Sequence, residues 1–342
     1  MKVSILAECA TSLRYYLPLL RVLESTKHDV EMFYPIDGSG LHKYNSIVKN
    51  LSVVSDRIVR VCPDTALTPV TSNKNKINTD VLFTVECVPR GSQGNIFQYD
   101  KKFCIQHGTY YTNFIQYADE KTTYIAHDTF YQDDLKNNFS VNAICPSKPI
   151  AFWDINKQLD FFNPSQLKPL LEKKIAYLFY PDRGRTSLAK EVILYLSSIG
   201  YTVIVKQRRK HQAVEKFNVN NVHVVYDDVW YPSEAVFFPS IADIAIGFSS
   251  AAYVDLVPAG VNYIDLALEV YSKCRSEMTD TTHYPGYVKP ATRDNFCYIA
   301  DENFLLIKNK IDRMVKLNKY KNNLQKFHNN LKIGEKFIND IL

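Results

Sequence analysis

The sequence predicts an α/β protein built as two parallel-sheet domains in tandem, and three observations carry that reading. A chain of 342 residues is too long for one ordinary core. It opens with a β-branched run "KVSILAE", a polar turn from Cys9 to Ser12, a helical pattern "SLRYYLPLLRVLES" and a second strand "KHDVEMFYP". That order starts a parallel α/β sheet. A second series of the same kind begins after a looser, proline-bearing stretch from Asp154 to Lys173, which reads as the interdomain linker.

The first series continues through the strand-like runs "DRIVRVCP", "TDVLFTVECVP", "KKFCIQHG", "TTYIAHD" and "VNAICPS", with "NKNKINTD", Asn73 to Asp80, as a polar loop or short helix. The second runs from the strand "KIAYLFYP" through an amphipathic helix "SLAKEVILYLSSIG" closed by Gly200 to the strands "YTVIVKQ", "NVHVVYD" and "IADIAIGF". "SSAAYVDLVPAG" then reads as a helix closed by Gly260, with Pro258 ending it early, and "VNYIDL" as the next strand. From Asp301 the chain reads as helical, with Ile307, Ile311 and Met314 on one face. Its many lysines form a solvated surface or, on the sharper reading, one that faces a membrane. The division is residues 1–160, residues 161–320, and a C-terminal helix, residues 321–342, packing back toward the first domain.

Composition excludes several classes. With 46% hydrophobic and 23% charged residues the chain reads as soluble and globular. The net charge of +5 suits anionic substrates but does not demand nucleic acid. Cys9, Cys62, Cys87, Cys104, Cys145, Cys274 and Cys297 form no C-x-x-C pair and read as reduced thiols of a cytoplasmic protein. The first twenty residues mimic a signal peptide weakly, interrupted by Glu8 and Arg14, and no transmembrane segment follows. There is no D-x-D, H-E-x-x-H or zinc-spaced cluster, no G-x-G-x-x-G or Walker lysine motif, and no G-x-S-x-G. A protein-bound metal and a resident cofactor are therefore not expected.

Four stretches carry candidate chemistry. In "KKFCIQHGTYYTNF" an alternating apolar run ends in Gln106-His107-Gly108-Thr109, and a glycine after the histidine lets the backbone turn and approach another group closely. His107 is there either a base at the C-terminal end of a strand or a capped turn with a hydrogen-bonded imidazole. In "IGFSSAAYVDLVPAG", Ser249 and Ser250 stand where a helix cap belongs, either as an anion site at a sheet edge or as an ordinary cap. Asp255, a turn and a half on, accepts ribose hydroxyls or faces solvent. "LFYPDRGRTS" sets Arg183 and Arg185 about Gly184, suited to a diphosphate or to a solvated loop. "VIVKQRRKHQ" ends a strand in Lys206, Arg208, Arg209, Lys210 and His211; its plainer reading is surface, and it lacks the interleaved aromatics of a nucleic-acid patch. His127 in "YIAHDTF" reads as a structural strand-end residue.

Taken in order, these segments resemble the catalytic region of the CDP-glycerol glycerophosphotransferases, which polymerise glycerol phosphate in teichoic acids and some capsules. The histidine-glycine-threonine turn matches in "QHGTYY", the strand after it in "TTYIAHDTF", and later segments in "YLFYPDRGR", "VIVKQRR", "IADIAIGFSSAAYVDL" and "HYPGYV". The match runs from about Thr79 to Val288, and a looser outline of the wider GT-B superfamily, UDP-sugar 2-epimerases included, runs from the first residue. Three departures stand out: Gln207-Arg208-Arg209 in place of a second histidine, Gly247 in place of an acidic residue, and "CPSKP" from Cys145.

The resemblance implies a GT-B fold, two Rossmann-like domains facing each other across a cleft. It implies a metal-independent transferase that moves a glycosyl or polyol-phosphate group from a CDP- or UDP-activated donor to a hydroxyl of a glycan or polyol-phosphate acceptor. His107 would be the general base, with Glu8, Gly108 and Thr109 on the acceptor side. Ser249, Ser250, Arg183, Lys206 and Arg208 would hold the donor phosphates and Asp255 the ribose. Should His107 be structural, Glu8 and Asp119 are the substitute bases. A 2-epimerase-like isomerase and a non-catalytic nucleotide-sugar binder are the alternatives. The oligomeric state is left open.

Overall fold

The computed structural model describes residues 1–36, 47–71, 76–85, 96–107, 115–162, 170–181, 186–207, 216–226, 231–248, 252–266, 295–299, 303–316 and 324–342. Contacts divide the chain into two compact units, one of Met1–Asp154, Val229–Tyr231 and Asn329–Leu342, the other of Ile155–Asp228 and Pro232–His328.

The first unit is built on seven parallel strands: β1 (Lys2–Leu6), β2 (Asp29–Pro35), β3 (Ala66–Val70), β4 (Ile77–Val85), β5 (Phe97–Ile105), β6 (Thr122–Ile125) and β7 (Asn142–Ile144). Their order is β3-β2-β1-β4-β5-β6-β7, so the direction of winding reverses between β1 and β4. Val3 pairs with Val30 on one side and Val81 on the other. Helices α1 (Leu13–Ser25), α2 (Leu51–Val61) and α3 (Thr129–Phe139) belong to this unit.

The second unit repeats the pattern with six parallel strands: β8 (Ile175–Phe179), β9 (Thr202–Gln207), β10 (Val222–Tyr226), β11 (Ile244–Gly247), β12 (Tyr263–Leu266) and β13 (Phe296–Ile299), ordered β10-β9-β8-β11-β12-β13. Its helices are α4 (Thr186–Ser198), α5 (Glu234–Ile241), α6 (Tyr253–Ala259) and α7 (Phe304–Lys316). Gly200 and Gly260 follow α4 and α6 with φ of +91° and +93°, a left-handed backbone that glycine adopts without strain. The core of this sheet is aliphatic: Leu178, Val192, Ile193, Val203, Ile246 and Ile264 are all fully buried, with Ile307 and Ile311 of α7 closing it. Helix α8 (Asn330–Ile341) returns the chain to the first unit, where Asn330 Nδ2 donates to the Phe152 carbonyl at 3.1 Å and Phe337 packs 5.8 Å from Trp153.

The α/β class with two parallel sheets is the one the sequence predicts; several elements differ. "DRIVRV" lies in α2, not in a strand, because Val54, Ile58 and Val61 share a helical face and are buried together. The third strand is instead "ALTPV", β3. Asn73 to Asp80 is not a loop throughout, since Ile77 to Asp80 begin β4. Pro258 sits inside α6, which runs on to Ala259. The helical region after Asp301 is α7, a 3₁₀ turn at Leu324–Phe327, and α8.

Candidate functional site

Ligands of open parallel sheets bind outside the C-terminal strand ends where the winding reverses. In the first unit that place lies beyond β1 and β4. One buried side chain fastens the two strands there: Tyr16 Oη donates to the Leu6 carbonyl at 2.8 Å and accepts from the Val85 N–H at 2.7 Å. Burial first, and then the nearby Glu8 and Cys9, push the Tyr16 phenol well above its ordinary pKa, so it stays protonated and works as a clamp. Glu8 itself is half-buried just after β1. Cys9 Sγ lies 3.1 Å from both Thr11 Oγ1 and Ser12 Oγ as the chain turns into α1.

Next to this crevice, His107 follows the end of β5 and is half-buried. The chain before it is fixed by Gln106, a fully buried residue whose N–H donates to the Ile125 carbonyl at 3.0 Å and whose Oε1 accepts the His127 N–H at 3.1 Å. Those bonds tie the end of β5 to the end of β6. The His107 ring meets Tyr15 edge-on, centroids 6.1 Å apart, and the His127 ring lies 5.7 Å from the same tyrosine at a tilt of 35°. Arg14 Nη2 donates to Tyr15 Oη at 2.6 Å, and its guanidinium carbon stands 4.6 Å from the Tyr15 ring centre. His127 is buried, as a structural strand-end residue would be. Asp128 caps α3, its Oδ1 accepting the Phe130 N–H at 2.7 Å.

Two features at this sheet escape sequence reasoning. Gln106 looks like one more polar residue in a turn, and Tyr15 and Arg14 belong to α1; only packing brings Tyr15 to His107 and His127, with Arg14 on the tyrosine. Asp119, named as a substitute base, stands on the wrong side. It precedes β6, so it lies at the N-terminal edge of the sheet, bonded to Tyr99 Oη at 2.7 Å and Thr122 Oγ1 at 2.6 Å, while His107 follows a C-terminal strand end. Gly108 and Thr109 lie outside the described residues.

In the second unit the winding reverses between β8 and β11. Arg183 follows β8 in the sequence, Ser249 and Ser250 follow β11, and Arg208 follows β9; all four lie outside the described residues. Helix α6 starts at Tyr253 with Ala252 in the cap position. Lys206, near the end of β9, is half-buried with Nζ 5.9 Å from the centre of the Phe179 ring. Asp255 does not face solvent: it is 2% exposed in the first turn of α6. Asp265, which sequence reasoning passed over, is fully buried in β12 opposite Gly247 of β11. Among the described residues no group of three or more His, Cys, Asp or Glu side chains is placed to hold a metal ion, and no helix is long and apolar enough to cross a membrane.

No protein-family profile matches the chain, and no curated protein sequence matches it either. Solved structures do. UDP-GlcNAc 2-epimerase from Neisseria meningitidis, bound to UDP-GlcNAc, is similar with a TM-score of 0.57 and 10% identity over 99% of both chains. A proposed UDP-N-acetylglucosamine 2-epimerase from Listeria monocytogenes gives 0.54 and 12%, covering 97% of this chain and 90% of that one. The glycosyltransferase SnogD from Streptomyces nogalater gives 0.49 and 10%, over 99% of both chains. At these identities the likeness is one of fold: the chain is an α/β protein with two Rossmann-like sheets of the GT-B class. The fold class that the sequence resemblance implies, α/β with two parallel sheets, agrees with this. The narrower resemblance, to the CDP-glycerol glycerophosphotransferases, rests on its motifs alone.

Proposed function

We propose that the chain is a transferase of the GT-B kind that moves a glycosyl or polyol-phosphate group from a CDP- or UDP-activated donor to a hydroxyl of a glycan or polyol-phosphate acceptor. The observation that carries this reading is the placement of His107: an imidazole at a C-terminal strand end of a Rossmann sheet, half-buried, following the anchored Gln106 and with its ring against Tyr15. An unperturbed imidazole is neutral at cytoplasmic pH. It takes the acceptor hydroxyl's proton as that oxygen bonds to the donor's reacting centre and the bond to the departing nucleotide breaks. Glu8, Gly108 and Thr109 line the acceptor side. The first unit, residues 1–160 in the sequence division, binds the acceptor.

The second division of the sequence, residues 161–320, binds the donor, with Ser249, Ser250, Arg183, Lys206 and Arg208 on its phosphates and Asp255 at the ribose. Basic side chains and backbone N–H groups receive the charge on the leaving nucleotide, which makes the reaction independent of a divalent cation. The protein works in the cytoplasm and associates peripherally with a membrane surface.

A second reading is favoured by the fold likeness to the two 2-epimerases, both with TM-scores above 0.5. Inversion at a sugar carbon needs an acid and a base facing that carbon. Glu8, half-buried just after β1, is the candidate carboxylate for it.

One experiment separates the readings. The protein is incubated with CDP-glycerol, UDP-GlcNAc and related donors, with and without glycan and polyol-phosphate acceptors, in EDTA. Acceptor-dependent release of the nucleotide supports the transferase. Release of a C2-inverted sugar nucleotide without acceptor supports the isomerase, and binding without turnover a non-catalytic receptor. In the transferase, His107→Ala lowers kcat by ~10²-fold and leaves donor affinity unchanged. Normal turnover in that variant removes His107 from the mechanism.

A further inference from the structure

A base is useful only when its nitrogen is aimed, and the first unit aims His107 by two separate means. Gln106, bonded through its N–H and its Oε1, fixes the chain immediately before His107. Its ring rests on Tyr15, which is fully buried and therefore cannot move aside into solvent. Tyr15 in turn is held at its far end, where Arg14 both donates to the phenol oxygen and covers the ring. The other ring of the pair, His127, packs on the same tyrosine, so Tyr15 is gripped between two strand-end imidazoles and one guanidinium.

We propose that Tyr15 is a positioning residue for His107, a buried aromatic wall that sets the direction of the imidazole, with Arg14 as its anchor. The inference rests on His107 being the base. It adds a dependence that a space-filling tyrosine would not have: the cost of disturbing Tyr15 must pass through His107. Misplacing a reacting group by an ångström costs up to ~10²-fold in rate, so loosening the wall slows the proton transfer without weakening donor binding.

The test is a double-mutant cycle. Tyr15→Leu is made with His107 present and in the His107→Ala background. With His107 present, kcat falls about tenfold or more while the donor KM stays within about twofold. In the His107→Ala background the same substitution changes the residual rate by less than about twofold. Equal losses in both backgrounds overturn the positioning role. Full turnover in His107→Ala alone overturns the base reading instead. Where Tyr15→Leu melts below the assay temperature, Tyr15→Phe and Arg14→Gln, which each remove the phenol–guanidinium hydrogen bond, carry the same cycle with losses of about threefold.

A second measurement needs no substrate. In proton NMR the ring-carbon hydrogens of His107 and His127 feel the Tyr15 ring current; both sets of resonances shift in Tyr15→Leu and stay in place in Tyr15→Phe. A His107 resonance that does not move in Tyr15→Leu overturns the proposal whether or not any donor turns over.

Discussion

His107 and Asp119 are close in sequence yet stand at opposite edges of one sheet, because β5 ends at Ile105 and β6 begins at Thr122. The environments differ accordingly. Burial alone would raise the Asp119 pKa, but hydrogen bonds from Thr122 and Tyr99 and the charge of Lys102 outweigh it and hold the carboxyl below its ordinary value. A carboxyl depressed in the folded state adds stability above its unfolded pKa, and that stability is lost as the pH falls through the folded value. Asp119 is exposed, so the contribution is screened to on the order of 0.5 kcal/mol. Asp119→Asn should therefore lower the melting temperature slightly at pH 7, and the difference from the parent protein should shrink as the pH falls through the acid range and the carboxylate takes up its proton. Thermal melts across that range check it; a difference that persists undiminished in acid would mean the carboxylate charge is not what Thr122 and Tyr99 recognise. At this scale the sequence is partly legible. "QHGT" marks a strand end and a histidine, and so places His107. It is silent on Tyr15, since which helix side chain meets that imidazole is settled by packing across some ninety residues of chain.

Among the elements, one is read as the wrong type and one is passed over, for opposite reasons. "DRIVRV" has the β-branched content of a strand, yet Val54, Ile58 and Val61 recur at helical spacing, and the spacing wins because a helix on the sheet buries all three. "ALTPV" carries Pro69, which argues against a strand, but β3 is the outermost strand of its sheet, where one edge needs no partner for a missing N–H. Residue pattern alone cannot show which strand will be the edge. Helix α8 shows another kind of tertiary constraint. A Cβ placed on Gly334 would lie 2.7 Å from Trp153 Cδ2, 2.8 Å from Trp153 Cε3 and 2.8 Å from Val22 Cγ2, contacts that force a shift of large buried rings. Gly334→Ala should cost about 1–3 kcal/mol, against the usual gain from alanine in a helix. Denaturant titration reads this directly, and a variant as stable as the parent would show that α8 sits farther from α1 than these distances state.

At the scale of the whole molecule, the two parallel sheets in tandem are legible because strands and helices alternate on either side of a proline-bearing stretch, whereas the strand order within each sheet is not. What that alternation does not reveal is which outer faces remain uncovered. Helix α7 buries Ile307 and Ile311 fully, while Leu305 and Leu306 are 61% and 48% exposed and Lys310, Arg313 and Lys316 point outward after them. Asp312, the carboxylate on this helix, is taken by the Tyr195 hydroxyl, which burial and that carboxylate push to a pKa of about 12. Exposed leucines beside three cations fit an anionic lipid surface, the cations meeting headgroups and the leucines entering the interface. Each cation contributes about 1 kcal/mol near such a surface and each leucine about 1.5 kcal/mol or less, given its partial exposure. On the proposal that α7 meets such a surface, these contributions less the cost of immobilisation correspond to a weak, reversible association, roughly 0.1–1 mM in lipid. Cosedimentation with vesicles should show binding to phosphatidylglycerol mixtures and little to pure phosphatidylcholine, weakening as salt is raised. Replacing Lys310, Arg313 and Lys316 by glutamine should remove the dependence on lipid charge, and Leu305→Ser with Leu306→Ser should weaken binding on anionic vesicles while leaving its salt dependence. Equal binding to both vesicle types, or none to anionic vesicles at low salt, would exclude α7 as the membrane-facing element.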